Sequence, residues 1–209
     1  MAQEWKGAFV RFTEWFSRVA YINLLWISFT LLGLVVFGFI PATVAMFAVM
    51  RKWQKGNLTE PVFQSFWGFY RKEFAKSNSS GLVLGIIGYI LYADIFILNF
   101  DESLSMQIVK LLLYILALVY FMILAFFFPV YVHFDMKWYQ YLKMVTLIVF
   151  AAPLQAVLML LIGYGMVFLL IKMPILMLFL LGSLISYVWL LIALPTFTRL
   201  EQRPFSNEK

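Results

Sequence analysis

Ten carboxylates, a single histidine (His133) and no cysteine limit the chemistry open to this chain. A zinc hydrolase needs paired imidazoles with a nearby carboxylate, and a serine hydrolase needs a Ser-His pair; one histidine supports neither. Without cysteine there are no thiolate ligands, thiol nucleophiles or disulfides, and the redox compartment stays open. No Gly-rich loop ending in Gly-Lys-Ser or Gly-Lys-Thr is present to cradle a nucleotide phosphate. Lysine- or carboxylate-based mechanisms stay open on the residues alone. The expectation is a non-catalytic protein with no metal and no cofactor.

Binding potential is concentrated in the segment from Arg51 to Ser79. Arg51, Lys52 and Trp53 open it, and Thr59 is the expected N-cap of a helix with Glu60 and Pro61 in its first turn. Val62, Phe63, Phe66, Trp67, Tyr70 and Phe74 then recur at helical spacing as an apolar stripe, with Arg71, Lys72 and Lys76 in the last turns. Aromatic residues beside arginine dominate protein-protein hot spots. Arg51, Lys52, Trp53, Phe66, Trp67, Tyr70, Arg71, Lys72 and Phe74 are therefore the candidate partner-binding residues. The competing reading docks the same stripe on the membrane surface or on the protein's own helices.

The elements that position this segment follow from composition. With 64% hydrophobic, 20% aromatic and 12% charged residues among 209, the chain has too little polar surface to cover a water-soluble globule. The excess apolar area must face lipid. A net charge of +6 is not gathered into a basic run long enough for nucleic acid and is read as topology signals beside the spans. The fold expected is all-α and integral to the membrane, a single membrane domain over 1–209 with five transmembrane helices. Those spans fall at about 21–40, 80–98, 111–131, 144–170 and 175–195, since a crossing needs about 20 apolar residues. Residues 1–18 are expected as an interfacial helix, its rings Trp5, Phe9, Phe12, Trp15 and Phe16 on one face, and not as a removable signal peptide.

Cytoplasmic flanks are enriched in Lys and Arg. Arg51, Lys52, Lys55, Arg71, Lys72 and Lys76 place 51–79 inside, and alternation leaves 99–110 outside, 132–143 inside and the C-terminus inside. The N-terminus then falls outside with Lys6, Arg11 and Arg18, against the charge rule. A re-entrant hairpin over Val19–Met50 would remove that conflict, and is kept as the alternative.

Polar groups within the spans are few. Asp94 lies about one turn from the outer end of its span and is read as an interfacial carboxylate, with a proton or substrate site as the sharper alternative. Asn23, Gln155 and Lys172 are read as helix-contact or interfacial groups, and Gly81 with Gly85 and Gly182 with Ser186 as close-packing pairs. Pro41, Pro129 and Pro195 each precede a basic residue at an inner helix end, where kinks are expected.

The run Gly38-Phe39-Ile40-Pro41-Ala42-Thr43 leading into Arg51-Lys52-Trp53, the segment Phe66 to Phe74, and Phe128-Pro129 resemble the YesL-like family of small bacterial membrane proteins. Genes of that family commonly stand among those for oligosaccharide uptake, beside ABC-type sugar importers. The resemblance implies an accessory membrane protein of the bacterial cytoplasmic membrane, binding a larger complex such as an ABC sugar importer. It supplies no catalytic or ligand residues. A small transporter acting as an oligomer is the alternative, although polar groups converging at mid-membrane, expected of a transporter, are scarce.

Overall fold

Long apolar runs punctuated by Gly, Pro and short polar breaks give helices and nothing else among the described residues. The computed structural model describes residues 2–97 and 103–201, with side chains for 13–97 and 103–200. Its elements are α1 (Ala2–Leu32), α2 (Val36–Gln54), α3 (Val62–Phe96), α4 (Leu104–His133), α5 (Trp138–Ala151), α6 (Pro153–Ile171) and α7 (Pro174–Glu201). The all-α integral membrane class is what the sequence predicts.

The apolar residues are divided differently. Among the described residues, six helices are long and apolar enough to cross a membrane by length and composition. The expected single span over 21–40 is replaced by two helices, because the chain turns back at residues 33–35. The interfacial helix over 1–18 is continuous with the first of these. Its Trp15 ring packs edge-on against Tyr187 at 5.7 Å, while the side chains of Trp5, Phe9 and Phe12 lie outside the described residues. The loop helix and the second span are likewise one helix, α3, about 52 Å long at 1.5 Å per residue. The fourth span breaks at Ala152, where Pro153 removes the N–H that would bond Val149. Pro41, Pro129 and Pro195 lie within continuous helices.

The chain forms two compact units, one of residues 1–74 with 162–191 and one of 75–161 with 192–209. In the first, α2 is buried on every side from Pro41 to Met50, as expected of a helix that is apolar all round. It pairs with α1 as an antiparallel hairpin. The Trp26 indole N–H donates to Thr43 Oγ1 at 2.9 Å, which itself donates to the Phe39 carbonyl at 2.7 Å. Asn23, 1% exposed, ties α1 to α7, its Nδ2 donating to the Leu178 carbonyl at 2.7 Å and its Oδ1 accepting from Ser183 N–H at 3.0 Å. That is the helix-contact role expected of it. Gly182 makes the approach possible, since a Cβ there would sit 2.9 Å from Asn23 Oδ1, whereas Gly85 faces open space and packs against nothing.

The hairpin turn has an unusual backbone. Val35 N–H bonds the Thr30 carbonyl and Leu34 N–H bonds the Leu31 carbonyl, the paired bonds of a Schellman motif. Leu34, at φ 56°, takes the left-handed position that glycine normally fills, and Val35 follows at φ 63°, ψ −60°. Val36 N–H closes a three-residue turn on the Leu34 carbonyl at 2.7 Å. Gly33 and Gly38 let the two backbones touch, since a Cβ on either would overlap the other helix's main chain.

In the second unit α4 and α5 form another hairpin, joined through residues 134–137. The buried Tyr141 hydroxyl donates to the Phe134 carbonyl at 3.0 Å and accepts from Met136 N–H at 3.1 Å. Its ring stacks on Tyr131, centroids 4.4 Å apart, and Lys137 N–H bonds Gln140 Oε1 at the start of α5.

Candidate partner-binding surface

The basic and aromatic residues of the 51–79 segment fall on the end of α2, the turn after it and the first third of α3. Two faces of α3 diverge here. Phe66 and Tyr70, both buried, point at Phe29 of α1, with ring centroids 5.3 and 5.0 Å away. The Tyr70 hydroxyl reaches the Phe29 carbonyl at 3.3 Å. Phe29 is the hub of the cluster, since Trp67 also packs on it at 5.5 Å. Phe66 and Tyr70 thus hold α3 on α1, and burying a ring of this size stabilises by about 1.5 to 3 kcal/mol.

The adjoining face stays open. Phe63 and Trp67 are 46% and 43% exposed, Arg71 is exposed, and Phe74 stands at 36%. Positions 63, 67, 71 and 74 follow one another at helical spacing, so they form one stripe. Lys72 is exposed beside it, with Glu73 at 3.9 Å. Of the nine predicted residues the structure joins Trp67, Arg71, Lys72 and Phe74 on an open surface and assigns Phe66 and Tyr70 to packing. Arg51, Lys52 and Trp53 are half-buried at the end of α2.

Lys52 belongs to a smaller polar groove. Its ammonium lies 2.6 Å from Glu60 Oε2 and 5.0 Å from the Phe69 ring centroid, and the Ser65 hydroxyl donates to the same carboxylate oxygen at 2.5 Å. These bonds from Lys52 and Ser65, with the charge of Lys52, hold the Glu60 carboxyl below its usual range. Gln64, Gly68 and Lys72 complete a groove of about 290 Å³. Arg18 closes the same end of the hairpin by donating to the Leu58 carbonyl at 2.9 Å. Thr59 is not the N-cap; its hydroxyl bonds Asn57 Oδ1 and α3 starts at Val62. Sequence reasoning gives Glu60 only a first-turn place and does not reach Ser65, Phe69 or Phe29. Ser65 and Phe69 lie five and nine positions after Glu60, a spacing that a helix start at Val62 makes productive, but the approach of Phe29 is long-range and left no local signal.

A second cavity, of about 310 Å³, lies in the other unit among α3, α4 and α5. Its wall is apolar except for Asp94, Tyr120 and Thr146. The Tyr120 hydroxyl donates to the Leu84 carbonyl at 2.9 Å by crossing Gly88, where a Cβ would overlap the phenol. His133 is sandwiched with Phe134 and Phe197, ring centroids 4.7 and 4.5 Å away. Among the described residues no three His, Cys, Asp or Glu side chains converge as metal ligands would.

Residues 19–95, which run from the first turns of the hairpin to the end of α3, match the family described as "Protein of unknown function, DUF624". YteU of Bacillus subtilis (strain 168), an uncharacterized protein, is 40% identical over 196 residues, covering 94% of this chain and 88% of its own. The chain belongs to the YesL-like family. YesL itself, from the same strain, is 35% identical over 192 residues, covering 92% of this chain and 90% of its own, and YesV is 37% identical over 191 residues. Both carry the description uncharacterized protein. No solved structure matches the chain.

Proposed function

We propose that this protein is a non-catalytic accessory membrane protein of oligosaccharide uptake that engages a larger membrane complex, such as an ABC sugar importer. The observation that carries the reading is the open stripe of Phe63, Trp67, Arg71 and Phe74 beside Lys72, left uncovered while Phe66 and Tyr70 fix its position. The link to sugar uptake rests on the family resemblance. The reading places the protein in the bacterial cytoplasmic membrane with 55–61, 134–137 and the C-terminus inside. With α1 and α2 paired, Arg18 falls on the same side as Arg51 and Lys52, which removes the conflict of an outside N-terminus.

The test is co-purification with co-expressed importer membrane subunits in mild detergent. Trp67→Ala with Arg71→Glu should lower the recovered importer at least tenfold while leaving the helices inserted. Phe66→Ala is unsuitable, since emptying a fully buried site costs about 3 to 5 kcal/mol on its own. Equal recovery of importer with wild type and the Trp67/Arg71 variant would sink the reading.

A second reading, a small transporter working as an oligomer, is favoured by one observation: among the described residues Asp94 is the charged group lining the apolar cavity of the second unit. Asp94→Asn keeps the side chain's size and changes its charge. Loss of oligosaccharide uptake by cells carrying the variant, with normal insertion, would shift weight to transport, and unchanged uptake would remove it.

A further inference from the structure

The turn between α1 and α2 carries no group that water would favour. Leu31, Leu32, Leu34, Val35, Val36 and Phe37 are 52 to 78% exposed, and only Gly33 interrupts them. A turn reaching the aqueous surface normally uses Gly, Asn, Asp, Ser or Pro, whose side chains or backbone freedom suit both water and positive φ. Here Leu34 and Val35 occupy positive φ instead, at 56° and 63°. For a β-branched residue that is a genuine outlier.

The backbone has the complementary property. Gly33, Leu34, Val35, Val36 and Phe39 N–H groups all bond carbonyls within residues 29–35, at 2.7 to 3.1 Å. Unsatisfied amides are what normally forbids a turn inside hydrocarbon. Those five N–H groups meet that demand locally, without water and without polar side chains.

Length points the same way. From Arg18 to Gly33, and from Val36 to Arg51, each arm rises roughly 22 Å at 1.5 Å per residue. The hydrocarbon layer is about 30 Å thick. Counted whole, both helices are long enough to cross; anchored at Arg18 and Arg51 on one face, the arms beyond those arginines stop short of the other. The anchoring ends are held together, since Arg18 bonds the Leu58 carbonyl just beyond α2.

We propose that α1 and α2 form a re-entrant hairpin, entering and leaving on the side of Arg18 and Arg51, with the tip at 31–37 packed among lipid acyl chains inside the bilayer. Four helices, α3, α4, α6 and α7, then cross completely. Both arrangements put the N-terminus and residues 55–61 on one side, so topology mapping of the ends does not distinguish them, and failure of the importer test would leave this proposal untouched.

The tip itself must be probed. The chain has no cysteine, so single replacements Leu32→Cys, Val36→Cys and, as a water-facing control, Ser105→Cys can each carry a nitroxide in the full-length protein in phospholipid vesicles. Both tip labels should collide freely with oxygen, which concentrates in hydrocarbon, while collision with a water-soluble nickel chelate falls to background. The Ser105 label should show the opposite. Nickel access at the tip matching Ser105 would mean a complete crossing and overturn the proposal. Access to neither reagent would mean that protein, another copy or a partner, covers the tip, and would overturn the lipid contact. Should Leu32→Cys fail to fold, Val36→Cys, equally exposed on the far arm, gives the same reading.

Discussion

Two helical hairpins of this protein solve the same problem with opposite chemistry. At 134–137 the α4–α5 connection uses Asp135 and Lys137, closes on the Tyr141 hydroxyl and bonds Lys137 N–H to Gln140, while Lys76 reaches Asp135 at 3.1 Å. At 33–35 the α1–α2 connection uses no polar side chain, and its amides bond only main-chain carbonyls. The first turn draws on side chains that water tolerates; the second draws on close backbone contact and accepts two residues at positive φ. What decides the difference is the surrounding medium, since buried polar groups without partners cost several kcal/mol in hydrocarbon while ion pairs and hydroxyl clasps suit an interface.

The contrast breaks most readily at the glycines. Gly38→Ala would drive a methyl into the Phe29 and Thr30 carbonyls of α1, which are main chain and cannot swing aside. Overpacking of this kind costs about 1 to 3 kcal/mol or more. Chemical unfolding in lipid should show Gly38→Ala destabilised by at least that range, with Gly85→Ala, facing open space within α3, at or above wild-type stability.

Tyr141→Phe should come next. It keeps the stack on Tyr131 but leaves the Phe134 carbonyl and Met136 N–H without the hydroxyl, an expected loss of about 1 to 2 kcal/mol in the same assay. A variant as stable as wild type would mean that water replaces the hydroxyl at once and that the clasp contributes little.

Substitution at Leu34 sharpens the comparison with a smaller effect. Leu34→Gly relieves the left-handed strain and should stabilise by about 0.5 to 1 kcal/mol after glycine's added freedom in the unfolded chain is set against it. Leu34→Asn tolerates the same φ but brings an amide. In hydrocarbon it should fall below wild type; at an aqueous turn it should match glycine.

The smallest effect belongs to the α2–α3 turn, which is polar like 134–137. Glu60 has its carboxyl held below the ordinary value of 4.5 by Lys52 and Ser65. Its contribution is therefore full above that value and is lost as pH falls through the lowered one. Glu60→Gln should flatten the dependence of melting temperature on pH in that acid window and leave neutral pH nearly unchanged, because exposed pairs contribute little.

Much of this was legible from residue order. Apolar run length specified the all-α membrane class, and the buried Asn23 and the small Gly182 with Ser186 were readable as helix-contact groups. The hairpin is legible only as the alternative that the charge rule raises over Val19–Met50, because its turn lacks turn residues: Leu34 and Val35 read as part of a span, and only the spacing of Gly33 and Gly38, which acts through main-chain contact, marks the reversal. For the same reason the 51–79 segment reads as aromatic and basic, but the partition of its stripe depends on Phe29, more than thirty positions earlier in the chain. Periodicity reports which residues share a face; it does not report what lies opposite.

The difference between the two turns is tested most directly by thiol reactivity, because maleimide attacks the thiolate and a thiol in hydrocarbon does not ionise. Lone cysteines at Leu32 and at Asp135 would be challenged with a small impermeant maleimide in intact cells and in inverted membrane vesicles. Asp135→Cys should react in inverted vesicles within minutes, and Leu32→Cys should react in neither preparation until detergent dissolves the bilayer. Rapid modification of Leu32→Cys in intact cells would place that turn in water and contradict the account.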